Sequence, residues 1–174
     1  MDADGQHQPS DVLFAVNELI KSNSDLVVGS RFIDKAKIHG LSNRRAMGSN
    51  SANSLARISL SDSYKHLTDY MSGCLALNLR TCLPFILKVN VNGFKFYYEL
   101  LALSKGCFKV KEVPLLFKPR FRGQSKLDIS VVWDFLISLL HTLTFRVLPR
   151  RAISFGLVGL SGVIVQLIST NILM

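Results

Sequence analysis

Two aspartates spaced by one residue, Asp2 and Asp4, stand near the start of the sequence and are followed by Gln6. In an extended segment alternate side chains point to the same side, so these three would share one side of the chain. Carboxylate and amide oxygens are hard ligands that suit Mg²⁺ or Mn²⁺ when phosphate completes the coordination. The spacing predicts a divalent-metal site, although such a carboxylate pair by itself is more often a solvated turn or cap.

Short clusters of basic residues accompany turn-forming residues at three places, 29–31, 42–45 and 120–126. Arginine offers phosphate oxygens a planar fork of donors, and glycine lets the backbone approach closely. Taken singly, each arginine is more often a solvated surface charge. Together with a metal motif and an apolar helix, the clusters indicate chemistry on phosphate groups.

Composition narrows the choice of partners. The 174 residues carry a formal charge of +9 and are 48% hydrophobic, with a mean hydropathy of +0.27. This balance suits anionic lipid or a phosphate-bearing substrate better than nucleic acid, because the basic clusters lack interleaved aromatic residues. The cysteines Cys74, Cys82 and Cys107 are odd in number and form no CxxC spacing, which predicts reduced thiols rather than disulfides or zinc.

The elements that must position these residues alternate between helix and strand. The pattern predicts helices over 12–21 (capped by Ser10 or Asp11), 42–60 and 94–105 (ended by Gly106), and strands from Asp25, after the turn at Asp69, and over 108–117. Helix and strand in alternation are typical of an α/β sheet protein.

The C-terminal segment is more apolar than the rest. Residues 152–174 form an uncharged run of 23 residues, and at ~1.5 Å per residue a helix of that length crosses a hydrocarbon core of ~30 Å. We therefore expect a transmembrane helix there. Arg146, Arg150 and Arg151 precede the run, so the positive-inside rule places the N-terminal side in the cytoplasm.

The preceding segment, 129–148, is nearly as apolar but carries one polar face. That face is formed by Ser130, Asp134, Ser138 and His141. The pattern favours a helix in the membrane interface, with Trp133 at headgroup depth, over a second spanning helix or a core helix.

Six motifs in order carry a resemblance to a known family. They are DADGQHQP, LVVGSRF, SNRRAMGSNSANSLAR, DYMSGCLAL, GFKFYYELL and KVKEVPLLFKPRFRGQSK. Together they resemble family 2 glycosyltransferases of the polyprenyl-phosphate (dolichol-phosphate) mannosyltransferase type. The resemblance implies an α/β fold: an incomplete, Rossmann-like GT-A domain over 1–127, an interfacial amphipathic helix over 128–150, and a transmembrane helix over 151–174 that resembles the start of a GtrA-like domain.

The resemblance also implies roles for individual residues. Asp2, Asp4 and Gln6 match the family's metal motif. Positions that hold donor or acceptor phosphates are matched by Arg31, Arg45, Ser49, Arg120, Ser125 and Lys126. Asp69, Ser72 and Gly73 match the acceptor-side turn, and Asp4, Asp69 and Arg120 are the implied catalytic residues. The chain departs from the family pattern at Gly5, where Leu is usual, and at Gln8, where Pro is usual.

The implied reaction is metal-dependent, inverting transfer of a hexose, mannose or glucose, at the membrane. The donor would be GDP-mannose or UDP-glucose, and the acceptor dolichyl or undecaprenyl phosphate. Because the family's nucleotide-binding half, which precedes the DxD loop, is absent, we expect the chain alone to be inactive. The alternative is a non-catalytic, membrane-anchored partner or flippase-like subunit of lipid-linked sugar assembly.

Overall fold

The computed structural model describes residues 7–33, 37–38, 43–89, 95–114, 116–117 and 129–173. The chain divides into two compact units, Met1–Lys126 and Leu127–Met174. The first unit contains α1 (Pro9–Ser22), β1 (Leu26–Ser30), β2 (Lys37–Ile38), α2 (Asn43–Ser59), β3 (Leu75–Leu77), α3 (Leu79–Ile86), α4 (Phe96–Ser104), β4 (Val110–Pro114) and β5 (Leu116–Phe117). The second contains α5 (Ile129–Leu143) and α6 (Arg150–Leu173). The predicted α/β class is confirmed.

β1 is the central strand of a three-stranded sheet with the order β3-β1-β4. It runs parallel to β4, with Leu26 opposite Val110, and antiparallel to β3, with Leu26 opposite Leu77. All residues of β1 are buried, as expected for a strand paired on both edges in a covered sheet. Because β1 and β4 are parallel, their C-terminal ends meet at one edge of the sheet, where the first arginine cluster begins.

The predicted strand over 108–117 is two short strands with different partners. β4 pairs with β1, whereas β5 forms a separate parallel pair with β2. The change occurs after Pro114, which has no N–H to donate to a ladder. The break could not be predicted from the alternating pattern, because alternation does not identify the neighbouring strand.

α1 begins earlier than predicted, and the predicted caps, Ser10 and Asp11, are wrong. The N-cap is Gln8, and Pro9 occupies the first helical position, where its missing N–H costs nothing. The Asp11 carboxylate instead reaches back and accepts the Gln8 N–H at 3.0 Å. This contact satisfies one backbone donor at the start of the helix, as in a capping box.

The sheet and α1 share an apolar core. Its centre is formed by Ala15, Val27, Ala76 and Val113, with Leu19 packed against it. Small residues at Ala15 and Ala76 let the helix approach the sheet closely. The core therefore fixes β1 and β4, and with them the edge that carries the candidate site.

α4 ends as predicted, at the glycine. Lys105 and Gly106 both have positive φ, 49° and 93°, which stops the helix. A Cβ at Gly106 would lie 2.6 Å from Ser61 Oγ, so glycine is required for space as well as for conformation. α3 was not predicted: it has only 8 residues and contains Pro84, and its cap is the Asn78 side chain, which accepts the Arg80 N–H at 3.1 Å.

In the second unit, α5 and α6 pack against each other. α5 ends at Leu143, before the end of the predicted segment 129–148, and Phe145 and Arg146 then take positive φ values of 51° and 64°. Pro149 also disfavours helix at the residue before it. On the predicted polar face, Ser130 and Asp134 are exposed, whereas Ser138 is buried.

α6 is, within the described part of the chain, the one helix long and apolar enough to cross a membrane. The qualifying stretch is Arg150–Ile172, 23 residues with a mean hydropathy of 1.9. Nearly all of its side chains are exposed in the structure. The predicted helix over 152–174 is confirmed, and its length and composition suit a membrane span.

Candidate functional site

An arginine–aspartate pair stands at the C-terminal end of β1. Arg31 follows the last residue of the strand, and its Nε and Nη2 donate to the two carboxylate oxygens of Asp69 at 2.7 and 2.9 Å. The Arg31 backbone N–H also donates to Asp69 Oδ2 at 3.2 Å. The Asp69 side chain is fully buried and that of Arg31 is 16% exposed. Such a bidentate pair fixes the plane of the guanidinium as well as its position.

Glu112 on β4 holds the turn that carries Asp69. Its Oε1 accepts the backbone N–H groups of Thr68 and Asp69 at 2.8 and 3.0 Å, and its Oε2 accepts the Thr68 hydroxyl at 3.0 Å. The Thr68 hydroxyl also lies 2.7 Å from Ser30 Oγ at the end of β1. Glu112 on β4 thereby positions Asp69, which is the partner of Arg31 at the end of the neighbouring strand β1.

A buried tyrosine lies near these carboxylates. Burial, reinforced by the negative charges of Glu112 and Asp69, raises the pKa of Tyr97 on α4 well above its ordinary value. The phenol stays protonated near neutral pH, because desolvation and nearby anions both disfavour its charged form. Tyr97 therefore adds no charge to the surroundings of Glu112 and Asp69.

Ser72 supports the turn between Asp69 and β3. Its hydroxyl donates to the Gly29 carbonyl of β1 and accepts the Cys74 N–H, the latter at 3.2 Å. The side chain is buried. In this structure the hydroxyl therefore bonds to the protein's own backbone, and its predicted contact with substrate stays a prediction.

A pocket of about 250 Å³ opens between α2 and the segment that leads to Asp69. We call it the α2 pocket; its lining includes Phe32, Asn53, Ser54, Arg57, Thr68 and Tyr70. Asn53 Oδ1 accepts the Tyr70 N–H at 2.9 Å, and Arg57 Nη2 donates to the Leu67 carbonyl at 3.1 Å. α2 is thus hydrogen-bonded to the residues on either side of Thr68 and Asp69.

The other predicted site residues fall into two groups. Ser49 lies half-buried on α2, the helix that also carries Arg45, whose side chain is outside the described part of the structure. The remaining ones are outside the described residues altogether: Asp2, Asp4, Gln6, Arg120, Ser125 and Lys126. Of the predicted site residues, the structure brings together Arg31, Asp69 and Ser72 at the C-terminal end of β1.

Among the residues described, no group of three or more His, Cys, Asp or Glu side chains is placed to hold a metal ion. All three cysteines lie in this part of the chain and are free thiols, with Cys74 and Cys82 buried and Cys107 exposed. The predicted reduced state stays a prediction. The predicted metal ligands, all in the segment before residue 7, stay a prediction.

Sequence reasoning missed Glu112, Thr68 and Asn53. Glu112 bonds to a segment 43 to 44 residues away along the chain, and Asn53 bonds to Tyr70 at a separation of 17. One signal was available for Glu112, because it is a charged residue in the half-buried pattern of β4. Nothing in the sequence identified its partners.

The curated proteins that are similar to this chain include two mannosyl-transferring enzymes. Over 166 residues, 95% of the chain, it is 34% identical to a dolichol-phosphate mannosyltransferase of Pyrococcus furiosus. Over 133 residues, 75% of the chain, it is 31% identical to a polyprenol monophosphomannose synthase of Mycolicibacterium smegmatis. No family model matches the chain.

The extent of the matches has two consequences. The similarity to the Pyrococcus furiosus protein covers more residues than the first unit contains, so it continues into the second unit with the apolar helix. The matched regions make up 46% and 48% of the two relatives, so the chain spans about half their length.

Proposed function

Because this chain belongs by sequence to the family of polyprenyl-phosphate mannosyltransferases, we propose that the protein transfers mannose from a nucleotide-activated donor to a polyprenyl phosphate at a membrane. The observation that carries the proposal is the similarity to two proteins of that activity, one of them over 95% of the chain. The apolar helix α6 supports it, since a polyprenyl acceptor resides in lipid.

Transfer of a sugar to a phosphate requires mainly that the negative charges of donor and acceptor be screened from each other. The acceptor phosphate is already an anion, so it needs less activation by a base than screening from the donor's diphosphate. The proposed phosphate-holding residues are Arg31, Arg45, Ser49, Arg120, Ser125 and Lys126. Arg31 is bound by Asp69 in this structure, so a phosphate that reaches it would share its guanidinium with that carboxylate.

We assign Asp69 a positioning effect within this proposal. Its side chain is fully buried, and its backbone N–H donates to the Glu112 carboxylate, so the Asp69 carboxylate cannot follow a mobile arginine. A pre-oriented guanidinium loses little freedom when a phosphate arrives, which favours the transition state. The conservative exchange Asp69→Glu would displace the carboxylate that binds Arg31 and so misalign the Arg31 guanidinium.

A divalent cation, Mg²⁺ or Mn²⁺, is a further part of the proposal. Asp2, Asp4 and Gln6 would hold it, by the chemistry of their oxygen ligands. Bound there, the cation would neutralise the diphosphate leaving group. We also propose that the catalytic side faces the cytoplasm, because Arg146, Arg150 and Arg151 lie on the N-terminal side of α6. The assignment of 151–174 to a GtrA-like domain stays a prediction.

Donor choice tests the proposal. Membranes of cells that express the natural gene, with any coding sequence that surrounds these 174 residues, are supplied with a polyprenyl phosphate and with either GDP-mannose or UDP-glucose, each carrying a labelled sugar. We expect label in the lipid extract from GDP-mannose and little from UDP-glucose. Preferential transfer of glucose would retain the enzyme class and change the sugar. No transfer from either nucleotide sugar would favour the non-catalytic membrane partner instead.

A further inference from the structure

The α2 pocket contains a buried donor with no partner. Asn53 is 7% exposed, and its amide oxygen accepts the Tyr70 N–H at 2.9 Å. That contact fixes the orientation of the amide, because a backbone N–H can only donate. Asn53 belongs to the lining of the pocket, its NH₂ nitrogen is buried, and among the described residues that nitrogen has no hydrogen-bond partner.

Leaving a buried donor unsatisfied is costly for a folded protein. The penalty is on the order of 1–3 kcal/mol for a neutral group, and native structures tolerate few such cases. An unpartnered, buried NH₂ on a residue that lines an open pocket points to a ligand or an ordered water as the acceptor. The other lining residues of the α2 pocket indicate which kind of acceptor fits.

The lining favours an anion. Arg57 lies on the same face of α2, one turn beyond Asn53, and its exposed guanidinium donates to the Leu67 carbonyl at 3.1 Å. No Asp or Glu belongs to the described lining. Glu112 bonds to the lining residue Thr68, but both of its oxygens accept hydrogen bonds from residues 68 and 69. The described lining therefore offers two hydrogen-bond donors, the Arg57 guanidinium and the Asn53 NH₂ group, and no carboxylate.

We propose that the α2 pocket binds a phosphate group, with Asn53 Nδ2 and the Arg57 guanidinium as its donors. Neither residue belongs to the three basic clusters that indicated phosphate chemistry in the sequence. On an α-helix, Asn53 and Arg57 lie about 6 and 12 Å along the axis from Ser49, a phosphate-binding residue in the proposed function. The pocket is therefore an additional phosphate site on α2, and it stands whether or not the chain transfers mannose.

The phosphate could belong to a nucleotide, to a lipid or to the free ion, since all three present the same oxyanion. The size of the pocket, about 250 Å³, suits a single phosphate-sized group better than a drug-sized ligand of roughly 300–1,000 Å³. A ligand with a larger body would leave most of that body outside the pocket, against the exposed surface of α2.

The test is a titration observed at Asn53 itself. The full chain in detergent is labelled with nitrogen-15 asparagine, and the Asn53 NH₂ resonances are assigned by their loss in Asn53→Asp. Inorganic phosphate, a nucleoside diphosphate and a short-chain polyprenyl phosphate are then added in separate experiments. We expect these resonances to shift and saturate with at least one probe, and the tightest probe identifies the source of the phosphate.

Two variants change the pocket without removing the observed group. Ser54→Asp adds a negative charge at an exposed rim position, and Arg57→Gln removes the positive charge. Each should weaken the affinity measured at Asn53 about ten-fold or more, the effect expected for one charged contact. Arg80→Gln is the matched control: it removes an equal charge from an exposed residue outside the pocket lining and should change the affinity less than about two-fold.

The outcomes separate this site from the proposed function. Asn53 resonances that do not move with any probe, or that titrate equally in Ser54→Asp and wild type, would overturn the phosphate site. If the chain transfers mannose but gives either of these two results, only the phosphate site on α2 is wrong. A chain that binds phosphate at Asn53 but transfers no sugar keeps the site and loses the proposed function.

Discussion

Asp69 determines where the Arg31 guanidinium lies, because it is fully buried and accepts two hydrogen bonds from that side chain. Its own position is set by Glu112, whose carboxylate accepts the Asp69 N–H. Removing one charge of such a pair leaves the other desolvated and incompletely paired, which costs more than the pair contributes as a whole.

We therefore predict that Asp69→Asn destabilises the protein. The asparagine keeps one acceptor oxygen but not the charge, so we expect a loss of roughly 2–3 kcal/mol in the free energy of unfolding, below the full range for a buried pair because Arg31 is partly exposed. In a chain of this length that corresponds to a melting temperature lower by roughly 5–10 °C.

The control for this change is Asp62→Asn. Asp62 pairs with Lys65 on the surface, where the two side chains are 88% and 52% exposed. Exposed pairs contribute about 0–1 kcal/mol, so the melting temperature should change by about 4 °C at most. Equal losses in the two variants would contradict the structural importance of the Arg31–Asp69 pair.

Ser49 gives a residue-scale test of the proposed acceptor site. It is half-buried on α2, and a hydroxyl that donates to a phosphate is worth about ten-fold or more in binding. Ser49→Ala should lower kcat/KM for the polyprenyl phosphate by about that factor and leave the KM for the donor unchanged. Ser51→Ala, an exposed serine on another face of α2, should have little effect. Similar losses in both variants would remove Ser49 from the site.

At the scale of elements, thiol labelling tests the strand and helix that surround β1. Cys74 precedes β3 and Cys82 lies in α3, and both are buried, whereas Cys107 is exposed. Burial also raises the pKa of the Cys82 thiol, so less of the reactive thiolate forms in the folded state. We expect a maleimide to label Cys107 rapidly and the other two only after unfolding, as measured by peptide mass spectrometry.

The raised pKa has a consequence for stability with a definite sign. As the pH rises through the pKa of an unfolded cysteine, the unfolded chain ionises while folded Cys82 remains protonated. Stability linked to this thiol is therefore present at neutral pH and is lost at alkaline pH. Rapid native labelling of Cys82 at neutral pH would show that α3 does not bury this thiol as the structure has it.

α6 carries a prediction of topology. Three arginines lie at or before its start and no basic residue follows within the chain, so its C-terminal end should face away from the cytoplasm. A reporter active only in the cytoplasm, fused after Met174, should be silent, whereas the same reporter fused after Ser104 should be active. Cytoplasmic activity of the fusion after Met174 would contradict a single span in this orientation.

At the scale of the whole molecule, the class of fold could be predicted because helical and alternating periodicities reflect the buried faces of each element. β1 and α6 illustrate this: a short apolar strand and an uncharged run of 23 residues are local signals. The order β3-β1-β4 and the bond from Glu112 to Asp69 are not local, since they depend on which distant segments pack together. The sequence identified Arg31 and Asp69 separately, and only the fold shows that they bind each other.

The central claim is that the protein transfers mannose to the phosphate of a polyprenyl lipid. The most direct measurement is mannolipid formation from labelled GDP-mannose by membranes of cells that express the natural gene, with any coding sequence that surrounds these 174 residues. The acceptor is either a polyprenyl phosphate or the corresponding unphosphorylated polyprenol. The account predicts label only in the phosphorylated lipid, abolished by EDTA and lowered roughly 10³-fold by Asp4→Ala at unchanged membrane content of the protein. Equal labelling of the two lipids, or no labelling of either, would contradict the central claim, whereas undiminished transfer by Asp4→Ala would contradict only the proposed metal site.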